Sequence, residues 1–433
     1  MGLCHAVHAD YAMLCYAASG AFLALAAAVL VRVEPSCSGS GLPEVKATLS
    51  GVVLYNSLML RTLLLKPLAL VLAVTSGLSI GKEGALVHSA CCLAHQIAES
   101  KYIGFNQLRI EQRRVELMVA ACAVGVVGTF GAPVGGVLFS IEITSSFYLV
   151  DHLVFAFFCA TLSLVWTSQL LLLIPGPPMS LSLFKTDFSS HSCNALELIL
   201  FALFGALIAA LTSLLPHAVR QAAALRKRLE VRFGGWTPLV LPPVVAAVCS
   251  ASYFALDGGS CGGLYANGGG LLLPHLFDSH GHSGAAETTA EALQLLSPTL
   301  LQYAIFGIGK LFLLTPASVV LATPTGVFLP TFVSGAALGR VFGLLVYALF
   351  PNSSLIDSAL PGRFAVCGAA ALTTAATGTL STAVVTLELS GQLSLQPALL
   401  VTGISAYLVS RLLKVPSLFD LFSTLKQLPG ATT

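Results

Sequence analysis

The string GKEGALVH, Gly81 to His88, sets a lone acid between two glycines inside otherwise apolar sequence. An isolated carboxylate is expensive in such surroundings, so Glu83 is expected to do chemistry rather than fill space. Two further runs share this grammar: GSGLPE, Gly39 to Glu44, and GVFLP, Gly326 to Pro330, each a glycine-bearing turn entering a hydrophobic helix. A helix N-terminus leaves backbone N–H groups unpaired and carries about half a positive charge, so the three turns offer donors to an anion without a fixed cation. Each end is worth ~0.3–1 kcal/mol, and up to about 2 kcal/mol when partly buried. Three converging ends therefore offset several kcal/mol of dehydration and still let the ion leave, which conduction requires.

Ser40, between Gly39 and Gly41, adds a hydroxyl donor; the plainer reading makes it the N-cap of a helix starting near Leu42 and Pro43, and the two roles are compatible. Glu83 is pulled toward the neutral acid by burial and toward the carboxylate by helix-end donors, which makes it proton-sensitive. Ionised, it resembles a bound halide and fills the anion seat; protonated or displaced, it swings out and acts as a gate. The alternative is an ion pair with Lys82 or a distant Arg. Glu142 in VLFSIEIT and its counterpart Glu388 in VVTLELS sit at the polar ends of apolar helices and read first as caps or braces, second as proton carriers.

Those turns need a scaffold, and the composition names it. The 433 residues are 56% hydrophobic and 9% charged, with a mean hydropathy of +0.88, too little polar surface for a soluble globule. Apolar runs near 11–32, 51–75, 153–175, 196–216, 238–256, 300–323, 332–350 and 394–413 approach the ~20 residues of a spanning helix. Others near 84–98, 117–141 and 364–388 are interrupted by Gly, Ala, Thr and Pro, the pattern of short or broken packed helices. The expectation is an all-α polytopic, multi-pass membrane protein.

The net charge of +2 is uninformative about nucleic acid, and with no basic run long enough to follow a phosphate backbone no nucleic-acid partner is expected. Lys101, Arg109, Arg113 and Arg114 crowd one interhelical loop and Arg220, Arg226, Lys227, Arg228 and Arg232 another, which places both loops in the cytoplasm. Most of the eleven cysteines lie in apolar segments as small hydrophobes. Cys193 and Cys261 could meet in outer loops, but no disulfide framework follows. The glycine-rich run from Asp257 lacks a nucleotide-binding ending and reads as a connector, and His275, His280 and His282 lack the scaffold of a metal site. The chain shows no nucleophile–base pair and no cofactor fingerprint, so neither enzyme nor metal is expected.

GKEGALVHSACCL aligns with GVFLPTFVSGAAL at an offset of 245, and SIEIT at Ser140 with TLELS at Thr386 at 246, so the chain reads as a duplicated unit. The basic loop follows the first motif copy, whereas the region before the second, 257–298, has no Lys or Arg. That suits two inverted-topology repeats, 1–195 and 196–433, whose broken helices meet at a midplane anion site.

GSGLPE, GKEGA and GVFLP, in this order, resemble the anion-binding signatures of the CLC chloride channels and chloride/proton exchangers. The resemblance extends to GAPVGGVLFSIEIT at Gly131, SGAALGR at Ser334 and PSLFD at Pro416, nearly the whole chain. It implies a homodimer in the lipid bilayer with one anion path per subunit and chloride as the substrate. Ser40, Gly41 and Leu42 would form the central site, Val327 and Phe328 would give backbone donors, Gly81, Lys82 and Gly84 the outer site, and Glu83 the gate. Four departures matter. Ala85 replaces the usual proline after the gate, and Ile143 stands where exchangers of the family carry an inner glutamate, tilting the reading toward passive conduction. Phe419 replaces an inner tyrosine and loses its hydroxyl. The long first helix and the paired cytoplasmic CBS modules are not seen, so the first repeat reads as N-terminally shortened. The rival readings are a coupled chloride/proton antiporter and a non-conducting subunit.

Overall fold

Apolar runs broken by Gly and Pro dictate helices that stop inside the membrane, and the computed structural model is built from them. It describes residues 2–52, 54, 56–100, 111–144, 151–173, 186, 188, 193–258, 263–265, 271–278, 289–349 and 359–427, and among these there is no strand. The first half carries α1 (Gly2–Val33), α2 (Leu42–Leu49), α3 (Leu60–Thr75), α4 (Glu83–Glu99), α5 (Glu111–Phe130), α6 (Pro133–Thr144) and α7 (Asp151–Leu172). Then follow α8 (Ala195–Thr212), α9 (Leu215–Phe233), α10 (Thr237–Leu256), α11 (Leu272–Phe277), α12 (Thr289–Gly309) and α13 (Thr315–Val319), with a π-helical turn at Lys310–Leu314 between the last two. The chain closes with α14 (Phe328–Leu349), α15 (Leu360–Thr377), α16 (Ser381–Ser390), α17 (Gln396–Leu412) and α18 (Leu418–Leu425). Among the described residues six helical stretches are long and apolar enough to cross a membrane, and the protein is an integral multi-pass membrane protein.

The centre is α15, all of whose residues are buried, packed along α14. Small residues let the two backbones touch: a methyl added to Gly339 would lie 2.1 Å from the Phe364 carbonyl oxygen. On one side α1 lies against α10 and α3; on another α8 lies against α17. The expected interruptions occur where glycine takes a left-handed conformation, at Gly131 (φ 66°) between α5 and α6 and at Gly378 (φ 72°) between α15 and α16.

Several boundaries differ from the sequence reading. The run 51–75 is helical only from Leu60, because Gly51 and the turn after it lead into α3. The run 300–323 ends as helix at Val319 after its π-helical turn. The second basic loop is a helix: Arg220, Arg226, Lys227, Arg228 and Arg232 all lie on α9, a polar helix outside the bundle core, and Arg113 and Arg114 lie in the first turn of α5. Lys101, Arg109, Cys261, His280 and His282 fall outside the described residues. Cys193 lies 3.1 Å from Arg363 Nη2, and His275 is an exposed residue of α11.

Candidate anion site

Each motif begins a helix by a different local device. At the first, Gly41 occupies the N-cap of α2 with φ 80°, which glycine alone adopts without strain, and Pro43 sits in the first turn. Ser40 is therefore one residue outside the cap rather than the cap itself, although its Oγ accepts the Leu42 N–H at 3.4 Å. At the second, Glu83 is the first residue of α4. At the third, Phe328 is the first residue of α14, preceded by irregular backbone at Thr325 and Gly326 and a bend at Val327.

The three turns meet. The Gly39 N–H donates to the Thr323 carbonyl at 2.9 Å, and the Gly81 N–H to the Gly326 carbonyl at 2.7 Å. A methyl on Gly84 would lie 2.6 Å from Ser40 Cβ, so the first two turns are in backbone contact. Ser40, Gly41, Leu42, Gly81, Gly84, Val327 and Phe328 are all buried here. Lys82 is the exception: it is exposed and stands outside the cluster.

Glu83 fills the middle. It is 3% exposed, and a methyl on Gly81 or Gly326 would lie 2.1 or 2.8 Å from its Oε2. The backbone amides of Glu83, Lys82 and Leu329 face the carboxylate, yet neither oxygen makes a well-formed hydrogen bond. No ion pair to Lys82 or to an arginine forms among the described residues. The carboxylate thus borders two helix starts, α4 and α14, without being bound into either.

Glu142 and Glu388 are arranged quite differently. Glu142 accepts from the Leu380 and Ser381 amides at 3.1 and 2.8 Å, at the start of α16, and also from the Ser381 hydroxyl. Glu388 accepts from the Val134 and Gly135 amides at 3.1 and 2.8 Å, at the start of α6. Each helix carries the acid that caps the other.

Phe328 packs on Phe130 with ring centroids 4.5 Å apart and edge-on to Phe139 at 5.9 Å, and Phe139 meets Phe419 edge-on at 6.5 Å. An aromatic chain therefore links the inner residue Phe419 to the third helix start. One cavity reaches the cluster and a second lies beside Phe419. The first, of about 320 Å³, runs from Ser40 and Thr325 to Arg226 and Lys227 on α9 and Lys426 just after α18. The other, about 480 Å³, is lined by Ile143, Glu142, Phe419, Lys46, Arg411 and Lys414. Cations outnumber acids on both, Glu230 lining the first and Glu142 and Asp420 the second, an excess that favours anions at the entrance.

The sequence reading passed over several residues of this region, notably the buried Lys66 and His88 beneath the Ser40 turn. Lys66 had left a signal, as a single cation in the apolar run LLLKPLAL.

Comparison with known proteins shows the family of the chain. The family profile described as voltage gated chloride channel matches residues 22–411. Chloride channel protein 2 of Cavia porcellus is 34% identical over 413 residues, 92% of this chain and 45% of that protein. Chloride channel protein 1 of Homo sapiens is 32% identical over 415 residues, 92% of this chain and 41% of its own length. The chain thus spans less than half of the curated relatives it matches. The crystal structure of a eukaryotic CLC transporter superposes with a TM-score of 0.72 at 30% identity, covering 96% of this chain and 66% of the other. A slow cyanobacterial Cl⁻/H⁺ antiporter gives 0.74 at 16% identity, covering 96% and 88%, a likeness of fold.

Proposed function

Starting from a chain that belongs to the voltage gated chloride channel family, we propose that it is a gated chloride channel in which Glu83 opens and closes the path. One observation carries the reading: a buried carboxylate, unbonded, lodged where three glycine-bearing helix starts meet. An acid held so loosely exchanges with a halide at small cost, because both need the same backbone donors. When Glu83 takes a proton, its attraction to those amides falls and the seat opens to chloride. Ser40, Gly41 and Leu42 form the central seat, Gly81 and Gly84 the outer one, and Val327 and Phe328 the third helix start. Lys82, being exposed, acts at the mouth.

Ile143 supports passive conduction over exchange, since the cavity beside Phe419 presents an aliphatic side chain at the place of a proton-carrying acid. Glu142 is bound by the start of α16 and serves as a brace. The reading asks for chloride as substrate and for no cofactor, and it takes the working form as a homodimer with one path per subunit. The division into repeats at 1–195 and 196–433 is supported by the reciprocal caps of Glu142 and Glu388. A flux measurement in proteoliposomes with opposed chloride and proton gradients tests it. A channel's reversal potential follows chloride alone, and a reversal that moves with pH would replace the channel by an antiporter.

A further inference from the structure

The outer side of α9 carries a row of cations that no acid of the described chain neutralises. At 3.6 residues per turn Arg220, Lys227, Arg228 and Arg232 fall on one side of the helix, within an arc of about 140°, opposite the buried Leu215 and Val219. All four are exposed, and among the described residues none makes an ion pair. The one acid of the helix, Glu230, is taken by Arg226 at 2.7 Å, and Arg226 also reaches the Val320 carbonyl, so this pair faces the bundle. Arg228 and Arg232 stand one turn apart, where like charges repel. Such a row calls for an anionic partner from outside the chain.

Large apolar side chains are exposed in the same region: Leu225 by 57%, Val231 by 89%, Phe233 by 63% and Trp236 by 69%. Facing water alone, they gain nothing. At the level of lipid headgroups each type has a place, arginine and lysine on phosphate and the apolar and aromatic side chains among the first acyl carbons. Trp236 also has the Arg32 guanidinium, near the end of α1, 5.6 Å from its ring centroid. The path of the chain ties α9 to the bilayer at both ends, for two residues separate it from the apolar α8 and a three-residue turn from the apolar α10. The positive-inside rule accounts for cations on this helix, but not for the apolar side chains exposed among them.

We propose that the outer side of α9 docks the headgroups of anionic phospholipids. Arg220, Arg228 and Arg232 hold the phosphates, since a guanidinium offers a planar fork of donors to two phosphate oxygens. Leu225, Val231, Phe233 and Trp236 enter the interface beside them. Lys227 joins this surface to the anion path, because it also lines the cavity that reaches Ser40. A phosphate held by the adjacent Arg228 lies within a Debye length of Lys227 and cancels part of the cationic excess at that entrance. The docking stands apart from the chloride path proposed above, and its effect on flux rests on that path.

Native mass spectrometry of the purified chain in detergent, titrated with phosphatidylserine or phosphatidylcholine, tests the docking. Chloride flux in phosphatidylcholine vesicles with and without phosphatidylserine tests its effect. The wild-type chain is expected to retain phosphatidylserine over phosphatidylcholine. Arg220→Gln, Arg228→Gln and Arg232→Gln should each weaken that retention about fivefold, and the triple variant on the order of a hundredfold. The matching triple of Arg220→Lys, Arg228→Lys and Arg232→Lys keeps the charge without the fork and should fall between the two. In vesicles with phosphatidylserine the triple glutamine variant should pass chloride faster than the wild type, and in phosphatidylcholine alone at the same rate. Equal retention of both lipids by the wild type, an unchanged preference in the folded triple glutamine variant, or displacement of the lipid by inorganic phosphate at equal concentration would overturn the docking. A preference for phosphatidylserine with flux indifferent to it would overturn the link through Lys227. If the wild type prefers phosphatidylserine and passes no chloride, the path falls and the docking stands.

Discussion

The carboxylate of Glu83 and those of Glu142 and Glu388 all stand at helix starts, yet only the last two are bound there. Glu142 and Glu388 reach across from a neighbouring helix, and each sets its two oxygens on two consecutive amides. Glu83 is the first residue of its own helix, and its side chain is turned toward Gly81, Gly326 and the start of α14. From that origin it borders two sets of donors and satisfies neither. The same chemical group is hydrogen-bonded where one helix start claims it and left unbonded where two share it.

The largest expected effect follows from removing the shared acid. Glu83→Ala should conduct at all pH values as the wild type does in acid. The wild type should gain conductance as pH falls, by up to about tenfold per pH unit while a single group titrates. Current recorded between pH 5 and 8 checks this, and retained pH sensitivity in the variant would move the gate elsewhere. Fold stability should hardly change, because no hydrogen bond is lost.

Removing a committed acid should do the opposite. Glu388→Ala removes the acceptors of the Val134 and Gly135 amides and Glu142→Ala those of Leu380 and Ser381, caps that are partly exposed, each costing roughly 0.5–2 kcal/mol. Thermal unfolding in detergent should show the loss, with the pH response intact in whatever protein remains folded. A stable Glu388→Ala with altered gating would erase the distinction.

A subtler change tests whether the seat is as tight as the geometry requires. In Gly81→Ala the new methyl would lie 2.1 Å from Glu83 Oε2, so the side chain must leave. The variant should behave as a partial Glu83→Ala, with conductance raised a few-fold at neutral pH and a flattened pH profile. A current trace indistinguishable from wild type would mean that the carboxylate does not rest against Gly81.

Much of this was legible in the sequence because glycine, proline and a lone acid are local signals. GSGLPE, GKEGA and GVFLP each announce a helix start, and the structure puts a helix at each. The matched SIEIT and TLELS runs also foretold that their acids correspond, though not that each caps the other's helix, which depends on contact across more than two hundred residues. The basic run on α9 misled because cations on a polar helix look like a solvated loop when charge alone is counted. The aromatic contacts Phe130–Phe328 and Phe139–Phe419 carried no signal, since a phenylalanine in an apolar helix can face lipid or core equally well. Lys66 and Lys310 were visible as single cations in apolar runs, but their burial needed the fold.

The weakest expected effect concerns the inner end, where Lys46 bonds Asp420 at 2.9 Å and joins α2, which carries the first motif, to α18. Burial pushes the Asp420 carboxyl up, but hydrogen bonds from Ser417 and Lys46 and the Lys46 charge outweigh it and hold the group below the usual carboxylate range. A lowered value means that the contact's contribution is complete above the ordinary aspartate range and is lost only as pH falls through the folded value. Between pH 5 and 8 this contact is therefore constant and cannot supply a pH response there. Both partners are well exposed, so Lys46→Met should change stability by less than about 1 kcal/mol and leave the pH profile in place. A profile displaced by Lys46→Met would show that the inner contact titrates together with the gate, and the contrast between a shared acid and committed ones would have to include Asp420.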